Sequence, residues 1–127
     1  MAIRNIDAPD APTVVGDYAQ AVEVTGTSRR LYVSGQIPVD TTGALPPTFE
    51  GQARQAWANV IAQLRAADMD VANLVKVTTF LSDRQYADTN SAVRQELLAG
   101  HRPALTIIVC KIFDPAWLLE IEGVAEA

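Results

Sequence analysis

Arg102-Pro103-Ala104-Leu105-Thr106-Ile107-Ile108-Val109-Cys110-Lys111-Ile112-Phe113 is the stretch on which the fold turns. After Pro103 it is an almost unbroken series of β-branched and apolar residue types, the composition of a strand covered on both faces. Divided by parity, Leu105, Ile107, Val109, Lys111 and Phe113 fall on one side; Ala104, Thr106, Ile108, Cys110 and Ile112 fall on the other. Neither row has a solvated character, so this segment is expected to be a central strand with apolar surroundings above and below.

Working outward, Ser82 or Asp83 can cap a preceding helix with the stripe Tyr86, Asn90 (or Thr89), Val93 and Leu97, closed by a left-handed Gly100. Leu74 to Leu81 has strong strand propensity. Before it, Ala53, Trp57, Val60, Ile61 and Leu64 recur at three-and-four spacing, predicting a helix from about Phe49 to Ala67. Tyr18 to Thr25 and Leu31 to Val33 flank the turn-like Gly26-Thr27-Ser28-Arg29 and read as a β-hairpin. Ser34-Gly35-Gln36-Ile37-Pro38 ends that strand, and residues 1–15 read as an irregular lead-in. After the turn Asp114-Pro115, Leu118 to Ala125 alternates as a last strand. The order is β-β-α-β-α-β-β, an α+β sheet with two helices on one face. The other face, judged from the central strand, is apolar, and burial against further copies of the chain is the economical way to cover it.

The chain of 127 residues is read as one domain spanning 1–127, large enough to bury roughly two-thirds of its unfolded surface. A formal charge of −5 and a pI near 4.7 speak against a nucleic-acid partner, and Arg29-Arg30 is the only adjacent basic pair. A single cysteine, no signal-peptide pattern and no run of membrane-spanning length lead to the expectation of a cytoplasmic protein without a membrane partner.

For chemistry, the one histidine, His101, and the absence of a Cys/His cluster speak against a metal site. His101 and Cys110 lie nine residues apart around an extended segment, roughly 30 Å at strand rise, so they do not make a catalytic pair within one chain. Cys110 reads as a small core residue. Glu120 and Glu122, two strand steps and about 7 Å apart, share a face. They suit either a solvated edge or a carboxylate that holds a water for attack on carbon. Asn90 and Tyr18 are each open to a packing role as well as a ligand contact.

Taken together, Gly16-Asp17-Tyr18 with Gln20-Ala21-Val22, Leu31 to Pro38, and Gln52, Gln55 and Asn59 carry a resemblance. So do Val75-Lys76-Val77-Thr78 with Phe80-Leu81, Tyr86-Ala87 with Asn90, Arg102-Pro103-Ala104 and Leu119-Glu120-Ile121-Glu122. In this order and spacing the chain resembles the RidA/YjgF family of reactive-intermediate deaminases, also labelled endoribonuclease L-PSP. The resemblance implies a chorismate-mutase-like fold and a homotrimer whose sheets form a central barrel, with ligand clefts between subunits. It implies hydrolysis of enamines and imines such as 2-aminoacrylate without metal or organic cofactor. It also implies catalytic roles for Glu120, which would position water, and Tyr18, with Ser34 and Asn90 completing the pocket.

One family position departs. The arginine that grips the substrate carboxylate is replaced by Leu105, followed by Thr106 and then Ile107, which stands where cysteine is frequent. A guanidinium binds a carboxylate through two charge-assisted hydrogen bonds, and removing one partner of such a buried pair costs about 3–5 kcal/mol. Arg102 reaches the cleft only if Pro103 bends the backbone; Lys111 is about 20 Å along the strand. Arg29 or Arg30 would have to come from a neighbouring copy. The expectation is therefore a small reactive ligand less acidic or more apolar than 2-aminoacrylate, bound at Tyr18, Ser34, Asn90, Glu120, Leu105, Thr106, Ile107 and Arg102. Two other readings stand beside it: a non-catalytic trimer that binds a metabolite or partner, and a ribonuclease, against which the acidic charge argues.

Overall fold

The computed structural model describes residues 2–127. Six strands and two helices run β1 (Ala2–Ile6), β2 (Ala21–Thr25), β3 (Arg30–Gln36), α1 (Phe49–Ala66), β4 (Leu74–Leu81), α2 (Ala87–Leu98), β5 (Ala104–Val109) and β6 (Leu119–Glu126). The main sheet has the order β3-β6-β4-β5; β6 is antiparallel to both neighbours, and β5 is parallel to β4 through the α2 crossover.

The predicted helical stripe forms the centre of the core. Ala53, Trp57, Val60 and Leu64 of α1 and Val93 and Leu98 of α2 pack on Val77, Leu81, Leu119 and Ile121 of the sheet. Thr48 starts α1 by accepting a hydrogen bond from the Gly51 amide at 3.1 Å. Asp68, in the left-handed region at φ 55°, turns the chain away after its last turn. Asp83 caps the short helical turn that leads into α2, and Gly100 follows that helix at φ 88°, as its position in the sequence anticipates.

Side chains quoted above for their pattern on α1 turn out to hold loops. Gln52 is buried: its Nε2 donates to the carbonyls of Pro46 and Ala116, and its Oε1 accepts from the Leu118 amide at 2.8 Å. Asn59 donates to the carbonyls of Ile37 and Val39. These amides satisfy backbone groups that no strand or helix reaches.

Four expectations are corrected. The β2–β3 hairpin does not form: β2 pairs antiparallel with β1, a strand inside the supposed irregular lead-in. The connector amides of Ser28 and Arg29 donate instead to the Ala127 carbonyl, which commits β3 to β6. The strand after Pro103 ends at Val109, and it is an edge strand, not a central one. Ile107, Ile108 and Val109 are 39%, 45% and 50% exposed on a strand with a neighbour on one side only. The sheet face away from the helices is mixed, not apolar: Lys76, Thr78, Thr106, Glu120 and Glu122 stand among Tyr32, Phe80, Ile108 and Val124.

Candidate functional site

Alternation along β6 sends Leu119, Ile121 and Ala125 into the core and turns Glu120 and Glu122 to the other face. Glu122 is exposed, while Glu120 is half-buried because the neighbouring strand makes room for it. The β3–β6 register slips between Val33 and Gln36, and Gly35 lies in that irregularity. A Cβ at Gly35 would stand 2.0 Å from Glu120 Oε2 and 2.8 Å from its Cδ. The glycine thus leaves the carboxylate in its present position, and any larger residue there would have to displace it. Glu120 lines a cavity of about 320 Å³ with Phe80, Cys110, Lys111, Ile112 and Phe113. Cys110, expected as a core residue, is half-buried on this cavity, its amide donating to the Leu81 carbonyl at 2.9 Å. Ser34 is exposed, and its carbonyl accepts from Gln36 Nε2 at 2.9 Å.

Tyr18 belongs to a different cavity, of about 390 Å³, shared with Gln20, Ser91, Arg94, Leu105 and Ile107. The segment before β2 is fastened here by Ala19, whose amide donates to the Pro103 carbonyl at 3.0 Å. Arg102 fastens it again: Nε and Nη2 donate to the Tyr18 carbonyl at 3.2 and 2.8 Å, and Nη2 reaches Asp7 Oδ2 at 3.2 Å. Within one chain Arg102 thus secures Tyr18 from behind. Thr106 points to the opposite face and accepts from Lys76 Nζ at 2.6 Å, so it is separated from Leu105 and Ile107 by the sheet.

Asn90 is buried in α2 with both amide atoms unpartnered. One turn on, Arg94 is 3% exposed, and its Nε and Nη1 have no hydrogen-bond partner. Burial pushes the Arg94 guanidinium below its ordinary range, while the charges of Asp17 and Tyr18 pull it back up. Arg94 is not among the cations that sequence pattern brings forward. Its sign there was a basic residue four positions after Asn90, on the flank of the apolar stripe. This buried guanidinium lines the same cavity as Leu105. Among the described residues, no group of three or more His, Cys, Asp or Glu side chains is placed to hold a metal ion, and no helix is long and apolar enough to cross a membrane.

A helix-backed α+β sheet that presents a glutamate over a bulged glycine on one face, and a tyrosine beside a buried arginine at its edge, defines the class of protein. The sequence profile of the family described as Endoribonuclease L-PSP matches residues 8–127. A 2-iminobutanoate/2-iminopropanoate deaminase from Salmonella typhimurium is 32% identical over 126 residues, covering 96% of each chain. A RutC family protein from Pasteurella multocida is 36% identical over 107 residues, 83% of this chain and 81% of that one. Among solved structures, the Rid family protein YyfB from Yersinia pestis superposes with a TM-score of 0.84 over 100% of both chains at 28% identity. TdcF from E. coli with bound serine gives 0.74 at 30% identity, over 98% of each chain. The chain belongs to the RidA/YjgF family.

Proposed function

We propose that this protein is a homotrimeric imine and enamine deaminase that works in clefts between copies of the chain, with Glu120 holding the attacking water. The observation that carries the reading is the seat of Glu120: a half-buried carboxylate over a glycine that leaves space for it, at the edge of a cavity of about 320 Å³. Glu120 and Tyr18 line separate cavities of one chain, and a site shared between copies would bring them together. The names of relatives that match nearly the whole chain support the same chemistry.

In this reaction Glu120 accepts a proton as water oxygen attacks the carbon of the protonated imine, giving a neutral carbinolamine. Glu120 returns that proton to nitrogen, the C–N bond breaks and ammonia leaves, and Glu120 takes up the hydroxyl proton as the carbonyl forms. An enamine is first protonated on its β-carbon to enter the same path. Tyr18 and Ser34 contribute hydroxyls to the ligand, and the buried Asn90 contributes its unpartnered amide. Leu105 and Ile107 form an apolar wall, and neither can bind an anion.

The test is ammonia release from imines generated in situ by an amino-acid oxidase, read above the spontaneous rate. Wild type is expected to accelerate release and Glu120→Gln to lower kcat by about 100-fold or more. An undiminished rate in Glu120→Gln overturns the assignment. The absence of a donor at Leu105 favours one second reading, a trimer that binds a metabolite without turning it over. Saturable ligand binding with no acceleration of any imine would establish that reading instead.

A further inference from the structure

Arg94 is the feature that the proposed reaction leaves unused. Buried polar groups in folded proteins nearly always find partners, and an unpaired buried cation is especially unfavourable. This chain obeys the rule elsewhere: buried Gln52 is met at both ends of its amide, and buried Glu126 accepts from Arg30 Nε at 2.7 Å. Orphaned buried side-chain atoms occur at Asn90 and Arg94, successive turns of one stripe of α2. Asp17 is close enough to favour the charged guanidinium but makes no ion pair with it.

The guanidinium lines a cavity of about 390 Å³, within the size range of small-ligand sites. Tyr18, Gln20 and Ser91 line it as well, together with the apolar Val15, Leu105 and Ile107. A small anion with a short hydrocarbon tail matches that mixture. We propose that Arg94 binds the carboxylate of a 2-imino or 2-oxo acid, so that α2 supplies the cation that β5 lacks at Leu105. For the identity of the acid, this inference rests on the deaminase reading. A guanidinium that is already buried loses little further solvation when an anion arrives, and two parallel N–H···O bonds fix the anion's orientation.

The experiment titrates wild-type protein, labelled with 15N-arginine, with 2-oxobutanoate and with the uncharged butan-2-one. The Arg94 Nε–Hε signal is assigned by its loss in Arg94→Lys. A saturable shift with 2-oxobutanoate and none with butan-2-one is expected. Arg94→Gln and Arg94→Met should weaken 2-oxobutanoate binding by about 100-fold. Arg94→Gln should also reduce the preference for acidic over neutral imines, mainly through KM. Two outcomes overturn the inference: a signal indifferent to 2-oxobutanoate at saturation, or unchanged affinity in Arg94→Gln with a lower oligomer mass, which would mean the arginine pairs with an acidic side chain of another copy. Failure here is separable from failure of the deaminase reading. Glu120-dependent ammonia release with unaltered acid preference in Arg94→Gln rejects only Arg94. Arg94-dependent binding without ammonia release rejects only the enzyme.

Discussion

Gly35 controls where the Glu120 carboxylate can lie. Nothing at position 35 demands glycine for backbone reasons, since its φ is not positive; the demand comes from across the ladder, where Glu120 Oε2 occupies the place of a methyl group. Gly35→Ala should therefore displace the carboxylate, which is the free end of a flexible side chain, and leave the fold largely intact. The expected outcome is a loss of about 10-fold or more in kcat for imine hydrolysis, since a misplaced base loses most of its advantage, with a melting temperature close to wild type. Full activity in Gly35→Ala would detach Glu120 from the chemistry. The same scale shows why residue types alone mislead. Arg102 has the charge to grip a ligand, yet its donors are engaged by the Tyr18 carbonyl and Asp7. Arg94, unremarked in the sequence, has buried donors that nothing engages.

At the scale of elements, the β1–β2 ribbon is attached differently from the main sheet. Two strands alone are marginal in water, and the cross-strand Arg4–Glu23 pair, 3.2 Å at its closest, is exposed. The Arg4 guanidinium holds the Glu23 carboxyl below its usual range by hydrogen bonding and by charge. A carboxyl depressed in the folded state contributes stability above its unfolded pKa and loses it as pH falls through the folded value. Acidification should therefore raise amide hydrogen exchange in residues 2–6 and 21–25 before it affects β4 and β6, once intrinsic exchange rates are corrected for pH. High salt at neutral pH should act in the same direction, more weakly. Equal loss of protection in β6 would show that the ribbon and the main sheet open together. The elements also show what local pattern can and cannot reveal. The stripe of α1, with Trp57 fully buried, follows from spacing alone, because a helix exposes its period in the sequence. Strand partners do not: nothing local in residues 18–36 says that the connector amides will find Ala127 rather than each other.

For the whole molecule, the placement of apolar side chains is the argument for assembly. Tyr32 is 71% exposed and Phe113 94%, with the β5 edge residues between a third and a half exposed. Soluble proteins cover such surface with partners. Sedimentation equilibrium should give three times the chain mass of 13.7 kDa. Ile108→Glu should shift the protein towards monomer and lower imine hydrolysis with it, because a cleft shared between copies disappears when they separate. A fully active monomer would confine the site to one chain and remove the reason for keeping Tyr18 and Glu120 on separate cavities.

What the sequence determined by itself was whatever local periodicity and ordered motifs encode: the two helices, the strand propensity of β4 and β6, the α+β class, the family, and the alternation that turns Glu120 and Glu122 out of the core. Tertiary structure alone decided that β5 lies at the edge, that β1 takes β2 as its partner, and that Arg94 of α2 sits beside Leu105 of β5. The physical reason is range. A helical stripe is written within a few turns of chain, whereas an edge is defined by the absence of a neighbour. The unpaired guanidinium, in turn, is defined by a cavity wall assembled from segments some eighty residues apart.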